Sequence, residues 1–210
     1  MRDVIRRESL VAQADMIEPT GAEQRRAPRV TMLIRAAKLI CPQGEFLCVI
    51  RDASDTGLNL RLFHNLPPED RFLLELQNGD QHEVEVVWMD DDRAGVRFVQ
   101  IAEIARIVES PSRFSKRPIR INIEFPVELS GLGGAAKATL LDLSQQGAKI
   151  RSDARFAIDQ RVTVHSPYLP EVNAKVRWRR DDSYGLVFED TFQFGDLARI
   201  VAEIQMGKAD

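Results

Sequence analysis

Asp52-Ala53-Ser54-Asp55-Thr56-Gly57 recurs as Asp142-Leu143-Ser144-Gln145-Gln146-Gly147, 90 residues further along the chain. The same offset carries Trp88 onto Trp178, Gly95 onto Gly185 and Phe98 onto Phe188. Upstream, Arg25-Arg26-Ala27-Pro28-Arg29-Val30 matches Lys116-Arg117-Pro118-Ile119-Arg120-Ile121 at an offset of 91, and downstream Ala105-Arg106-Ile107-Val108 matches Ala198-Arg199-Ile200-Val201 at 93. A register kept over this distance, with small drifts that loop insertions explain, marks two tandem copies of one structural pattern. The 210 residues then divide into two domains of about 100 residues, each large enough to bury a core without disulfides or metals. Residues 1–24 form an N-terminal extension, 25–110 the first domain and 113–210 the second.

Within each copy apolar and polar residues alternate over short stretches. Val84, Val86 and Trp88 interleave with Glu83, Glu85 and Val87, and Val162-Thr163-Val164 runs into Ser166-Pro167, the period of half-buried strands. Turn residues punctuate them at Pro42-Gln43-Gly44, Pro67-Pro68-Glu69-Asp70, Asn78-Gly79-Asp80, Gly131-Leu132-Gly133-Gly134 and Asp181-Asp182-Ser183. Asn78-Gly79 tolerates positive φ at both positions and signals a hairpin. The pattern predicts a mainly-β protein, one small antiparallel barrel or sandwich per copy, with Trp88 and Trp178 in the cores. Each copy closes with a helical period. Ile101, Ile104, Ala105 and Val108 share one face, as do Leu197, Ile200, Val201 and Ile204, leaving Glu103, Arg106, Glu203 and Gln205 outside. The first helix ends near Glu109-Ser110-Pro111, where proline stops it. Val4 to Ile17 reads as a short helix and Pro19-Thr20-Gly21 as a linker.

The 29 Lys and Arg against 32 Asp and Glu leave a net charge of −3, which disfavours a dedicated polyanion binder. Only residues 111–210 carry a basic excess. Cys41 and Cys48 form no CxxC pair; they fit a reducing compartment and read as core thiols. The N-terminus lacks the apolar run of a signal peptide, and no apolar stretch is long enough to span a bilayer. The expectation is a soluble, cytoplasmic protein without membrane insertion.

Each copy sets two basic side chains four residues apart before its first strand, and an Asp-x-Ser-x-x-Gly turn some twenty residues later. Guanidinium forks pair bidentately with phosphate oxygens or with the O6 and N7 edge of guanine. An Asp accepts from amino and imino groups, a Ser hydroxyl donates or accepts, and a Gly lets backbone approach a ligand. Together they make a plausible reader of a guanine nucleotide with clustered phosphates.

These residues resemble the PilZ domain: an RxxxR at Arg25 and Arg29, the DxSxxG from Asp52 to Gly57, a Trp-containing strand, and a Gly-x-x-Phe strand from Gly95 to Phe98. The resemblance covers residues 25–109 and again 113–206. It implies a six-stranded antiparallel barrel per copy, each followed by a helix, and the bacterial second messenger cyclic di-GMP as ligand. It assigns Arg25, Arg29, Asp52, Ser54 and Gly57 to a complete first site, with Arg26 assisting. In the second copy Arg120, Asp142, Ser144 and Gly147 match, and Lys116 stands where the family has Arg. Arg113 and Arg117 form another RxxxR, but three residues out of step with the first copy, which favours Lys116 and Arg120.

The implied function is a cytoplasmic, non-enzymatic cyclic di-GMP receptor that passes ligand occupancy to a protein partner by a conformational change. The alternative is an adaptor of the same fold that does not bind nucleotide. Nucleic acid is disfavoured as a partner, since Phe114 and Trp178 alone interleave the basic runs at 113–120 and 177–180. His64, His82 and His165 show no metal-ligand spacing. No Gly-x-Ser-x-Gly elbow, Walker loop or dinucleotide fingerprint is present, and neither a catalytic residue nor a cofactor is expected.

Overall fold

The computed structural model describes residues 34–103, 107 and 118–207. In the first copy β1 (Arg35–Cys41), β2 (Gly44–Ser54), β3 (Gly57–Arg61), β4 (Arg71–Leu76), β5 (Gln81–Asp90) and β6 (Arg93–Phe98) close into an antiparallel barrel in the order β1-β2-β3-β6-β5-β4. The second copy repeats this with β7 (Ile121–Gly131), β8 (Gly134–Ser144), β9 (Gly147–Arg151), β10 (Arg161–His165), β11 (Val172–Arg180) and β12 (Ser183–Phe188). The predicted class and strand number hold. Closure removes the exposed sheet edges that strands this short would otherwise present. Alternate residues fill each interior: Leu39, Phe46, Ile50, Leu60 and Leu74 in the first barrel, and Ile121, Leu129, Leu140, Ile150 and Tyr184 in the second.

Two bulges recur at equivalent places and decide what each barrel shows outside. In the first copy the β2–β3 register shifts between Ile50 and Asp52, and the β5–β6 register between Val86 and Trp88. In the second the shifts fall between Leu140 and Asp142 and between Val176 and Trp178. An extra residue in one strand reverses the inside–outside parity beyond it. Ile50 is buried, the bulge intervenes, and the next buried residue is Ala53, so Asp52 and Ser54 leave the interior together. The tryptophans are moved the same way. Trp88 and Trp178 are 41% and 39% exposed, which corrects the expectation that both are core.

The helix α1 (Phe194–Met206) follows the second barrel. Its Leu197, Ala198, Val201 and Ile204 join that barrel's core, whereas Ala202 packs into the core of the first. Gln205, expected on the solvent side, is buried and donates from Nε2 to the Glu45 carbonyl. The wheel allows α1 one neighbour and the fold gives it two. Of the helix expected after the first barrel, Ile107 is described, helical and fully buried; residues 104–106 and 108–110 lie outside the described residues. Ile101, placed on that helix's inner face, instead precedes it, non-helical and exposed, and Ala102 takes the buried position. Cys48 is buried as expected and Cys41 only half-buried. No helix among the described residues is long and apolar enough to cross a membrane.

The barrels meet through a buried polar knot. Lys38 Nζ lies 3.0 Å from Glu45 Oε2, 3.1 Å from Glu75 Oε1 and 3.2 Å from the Arg120 carbonyl. Glu45 also accepts from the Asn122 backbone N–H at 2.8 Å and from Asn122 Nδ2 at 2.7 Å. Two charges largely removed from water are tolerable because the Lys38 ammonium has three acceptors and both Glu45 carboxylate oxygens accept.

Candidate functional site

The Asp-x-Ser-x-x-Gly segments form the β2–β3 and β8–β9 turns, and the serine closes each one. Ser54 Oγ donates to the Gly57 carbonyl at 3.1 Å and accepts from the Gly57 N–H at 3.2 Å. Ser144 Oγ donates to the Gly147 carbonyl at 3.0 Å and is buried. Such local bonds are what Ser offers a turn. The sheet itself requires both glycines. A Cβ on Gly57 would sit 2.2 Å from the Val96 carbonyl oxygen, and one on Gly147 2.1 Å from that of Leu186. Serine and glycine therefore shape the platform, and the Asp is the member of the motif left with a side chain to offer outward.

Around Asp52 the first barrel has two adjoining open cavities. One, of about 320 Å³, is bordered by Asp52, Ser54, Thr56, Gly57, Val87 and Trp88. The other, of about 370 Å³, is bordered by Ile34, Arg51, Asp52, Arg61, Asp92 and Arg93. Asn59, opposite Asp52 across the β2–β3 pair, borders both. Its Oδ1 is buried with no hydrogen-bond partner among the described residues. In the second cavity Asp92 holds Arg61 Nε at 3.5 Å and Arg93 Nε at 3.6 Å. Asp52 thus stands between an aromatic floor and a group of three arginines.

Each tryptophan lies flat over the glycine opposite it. A Cβ on Gly95 would fall 2.0 Å from Trp88 Nε1, and one on Gly185 2.0 Å from Trp178 Nε1. One indole face is set against the sheet by this contact, and the side chain stays partly open to solvent, in the first copy beside the Asp52 turn. An exposed indole held flat is a surface on which a nucleobase can stack.

In the second copy the two motifs meet directly. Arg120, immediately before β7, donates from Nη1 to Asp142 Oδ1 at 2.6 Å, its side chain half exposed and that of Asp142 16% exposed. Its backbone carbonyl is the one that accepts from Lys38 in the barrel junction. Arg25, Arg26, Arg29 and Lys116 lie outside the described residues, as do the N-terminal extension and the alternative pair Arg113 and Arg117.

Sequence reasoning passed over Trp88, Trp178, Asn59 and the cationic group at Arg51, Arg61 and Arg93. The signal for the tryptophans lies in the pattern: each stands opposite a glycine in the next strand, where a core indole would need no such gap. Another pairing it missed links Ser130 Oγ to His165 Nε2 at 2.8 Å and His165 Nδ1 to Glu171 Oε2 at 3.3 Å. It ties β10 to the end of β7 remote from Asn122, the partner of Asp142. Cys48 is no candidate nucleophile, because burial pushes its thiol up to about 12.

The PilZ domain family model matches the chain twice, over residues 23–110 and 111–204. No curated protein matches it. Among solved structures it is similar to the PlzA protein of Borreliella burgdorferi in complex with c-di-GMP, at 14% identity over 88% of this chain and 96% of that one, TM-score 0.35. It is also similar to YcgR of Escherichia coli in complex with c-di-GMP, at 14% identity over 84% and 86%, TM-score 0.33. The Bacillus subtilis inhibitor of motility MotI is similar at 9% identity over 86% and 100%, TM-score 0.36.

Proposed function

Since the chain belongs to the PilZ domain family, with two tandem copies, we propose that it is a receptor for cyclic di-GMP that reports ligand occupancy to a protein partner. The observation that carries this reading is the meeting of Arg120 and Asp142. Two motifs some twenty residues apart in sequence come within a hydrogen bond of each other. In this reading Arg25 and Arg29, assisted by Arg26, fork onto phosphate oxygens and the guanine edge. Asp52 accepts from the guanine amino and imino groups, and Trp88 stacks on a base. Ser54 and Gly57 hold the turn that aims Asp52. In the second copy Lys116, Arg120 and Asp142 take the same parts on a turn built by Ser144 and Gly147.

The geometry also suggests how occupancy is reported. A phosphate that draws Arg120 away from Asp142 acts on the residue whose carbonyl receives Lys38 at 3.2 Å. Through Lys38 and Glu45 that movement reaches Asn122 and Gln205, and with them the seating of one barrel on the other. The protein acts as a binding module, and its place is the cytoplasm, where a nucleotide messenger circulates.

Isothermal titration of the full chain with cyclic di-GMP tests the reading. Binding is expected; Arg25→Ala or Arg29→Ala alone should weaken the tighter site by about 2 to 4 kcal/mol, the range for losing a paired charged contact, and the double variant Arg25→Ala, Arg29→Ala by more. An unchanged isotherm in that variant would remove the two arginines from the site. Absence of heat in the wild type would leave the adaptor reading.

A further inference from the structure

The two copies share a backbone register around their tryptophans and differ in charge there. Trp88 pairs with Gly95, Met89 with Ala94 and Asp90 with Arg93; Trp178 pairs with Gly185, Arg179 with Tyr184 and Arg180 with Ser183. On the next strand Asn59 lies opposite both Asp52 and Gly95, and Lys149 opposite both Asp142 and Gly185. Around the indole of the first copy lie Asn59, Val87, Met89 and Asp90, with Arg97 on the border of the same cavity and Arg93 paired to Asp90; around that of the second lie Lys149, Arg177, Arg179 and Arg180. An open cavity of about 420 Å³ beside Trp178 is bordered by Lys149, Arg179, Arg180, Asp181 and Ser183. Arg179 is engaged: its Nε donates to the Asp181 carbonyl at 3.2 Å and its guanidinium lies over the Tyr184 ring at 5.7 Å. Lys149 and Arg180 have no ion-pair or hydrogen-bond partner among the described residues. Among the described residues that border this cavity, Asp181 is the one carboxylate against three cations.

We propose that this face of the second barrel is a nucleotide-phosphate site in which Lys149 and Arg180 hold the phosphate of a nucleotide whose base stacks on Trp178. The inference rests on the reading of the chain as a nucleotide receptor and deepens it for the second copy. Lys116, where the family has Arg, offers a point charge and no bidentate fork. Lys149, opposite both Asp142 and Gly185, adds a second point charge from the sheet, so this copy meets phosphate with charge where the first copy has a fork. The consequence is a division of labour. The first site reads the base through arginines and Asp52, and it discriminates. The second is dominated by phosphate charge, so it is tolerant of base and steeply dependent on salt.

The chain contains two tryptophans, so each site can be read alone. In full-length Trp88→Phe protein the remaining indole is Trp178, and a stacked base quenches its fluorescence. Cyclic di-GMP, GTP and a single-stranded oligonucleotide are titrated separately, with inorganic pyrophosphate as a competitor that carries charge and no base. Both nucleotides are expected to quench Trp178, pyrophosphate to reverse the quenching, and Lys149→Asn, which installs the first copy's residue, to raise the midpoint about tenfold. Lys149→Arg should restore it. Three results would overturn the proposal: no quenching by either nucleotide, a midpoint unmoved by Lys149→Asn, or quenching by the oligonucleotide alone, which would make the face a nucleic-acid surface. The receptor reading is judged separately in Trp178→Phe protein, where Trp88 reports the first site. Quenching there and none at Trp178 sinks this inference alone.

Discussion

Gly95→Ala separates what the barrel needs from what a ligand needs. The added Cβ would lie 2.0 Å from Trp88 Nε1, 2.2 Å from Cε2 and 2.7 Å from Cδ1. Ordinary contact between such atoms begins near 3.5 Å, so the indole must retreat by ~1.5 Å. It has room, because 41% of it already faces solvent. The fold loses part of one aromatic contact and gains the smaller chain entropy of alanine in a strand, so unfolding free energy should fall by no more than about 1 kcal/mol. The effect on binding should be larger. A base stacked on an aromatic side chain is worth about 1 to 3 kcal/mol, so a displaced, tilted platform predicts a loss of roughly 5- to 150-fold in cyclic di-GMP affinity. Titration of Gly95→Ala in the Trp178→Phe background reads both affinity and Trp88 quenching. If the variant binds as tightly as its parent with quenching intact, the indole is no ligand platform. If it loses several kcal/mol of stability, the glycine serves packing and the argument from exposure is wrong.

Two further outcomes follow from groups remote from the site. Glu45→Ala removes the acceptor shared by Lys38 and Asn122 and leaves a buried ammonium with Glu75 as its remaining carboxylate, so it should destabilise the chain by about 3 kcal/mol and split a single calorimetric transition into two as the barrels uncouple; one unshifted transition would show that the knot does not join them. His64 is held below its ordinary pKa, chiefly by burial, against backbone hydrogen bonds to Asn65 and Leu47 that favour its charged form. The folded state thus binds its proton less readily than the unfolded chain, so this contribution is present above the unfolded value near 6.5 and is lost as pH falls below it toward the folded value. Thermal midpoints should drop between pH 7 and pH 5.5, and His64→Gln should flatten that slope; a variant with the parent's full slope would place the titration elsewhere.

The repeat alone made the architecture legible, because a register shared by a turn, a tryptophan and a glycine implies equal strand spacing in both copies. Strand alternation carried the reading as far as the bulges and failed there. Val84, Val86 and Trp88 share one parity in sequence, which places Trp88 inside beside Val84. The shift between Val86 and Trp88 reverses it, and nothing in a run of valines marks where the extra residue is absorbed. Gln205 was misplaced for a different reason: the helix period identifies one apolar face, whereas burial of a polar side chain requires a partner such as the Glu45 carbonyl, supplied by a strand 160 residues away. The Asp, Ser and Gly of the turn were visible as a set, but their separate duties were not. The Val96 and Leu186 carbonyls that occupy the place of a Cβ belong to strands some 40 residues downstream.

Comparison of the copies sorts these positions by what constrains them. Wherever the barrel itself imposes a requirement, both copies answer alike: the turn glycines under a neighbouring carbonyl, the serines that close the turn, the glycines beneath the indoles, and the bulges that turn Asp and Trp outward. Differences gather on the outer surface that these devices create, at Asn59 and Lys149, Val87 and Arg177, Met89 and Arg179, and Asp90 and Arg180. None of these side chains is needed to fill an interior, so each is free to change without a packing penalty. A cation at all four second-copy positions, against none in the first, is then a property of the surface and of whatever meets it. The first copy carries its cations elsewhere on the same face, at Arg51, Arg93 and Arg97, where the second has Leu141, Ser183 and Val187, so the two platforms differ in where charge sits, and the proposed difference in ligand preference rests on that arrangement.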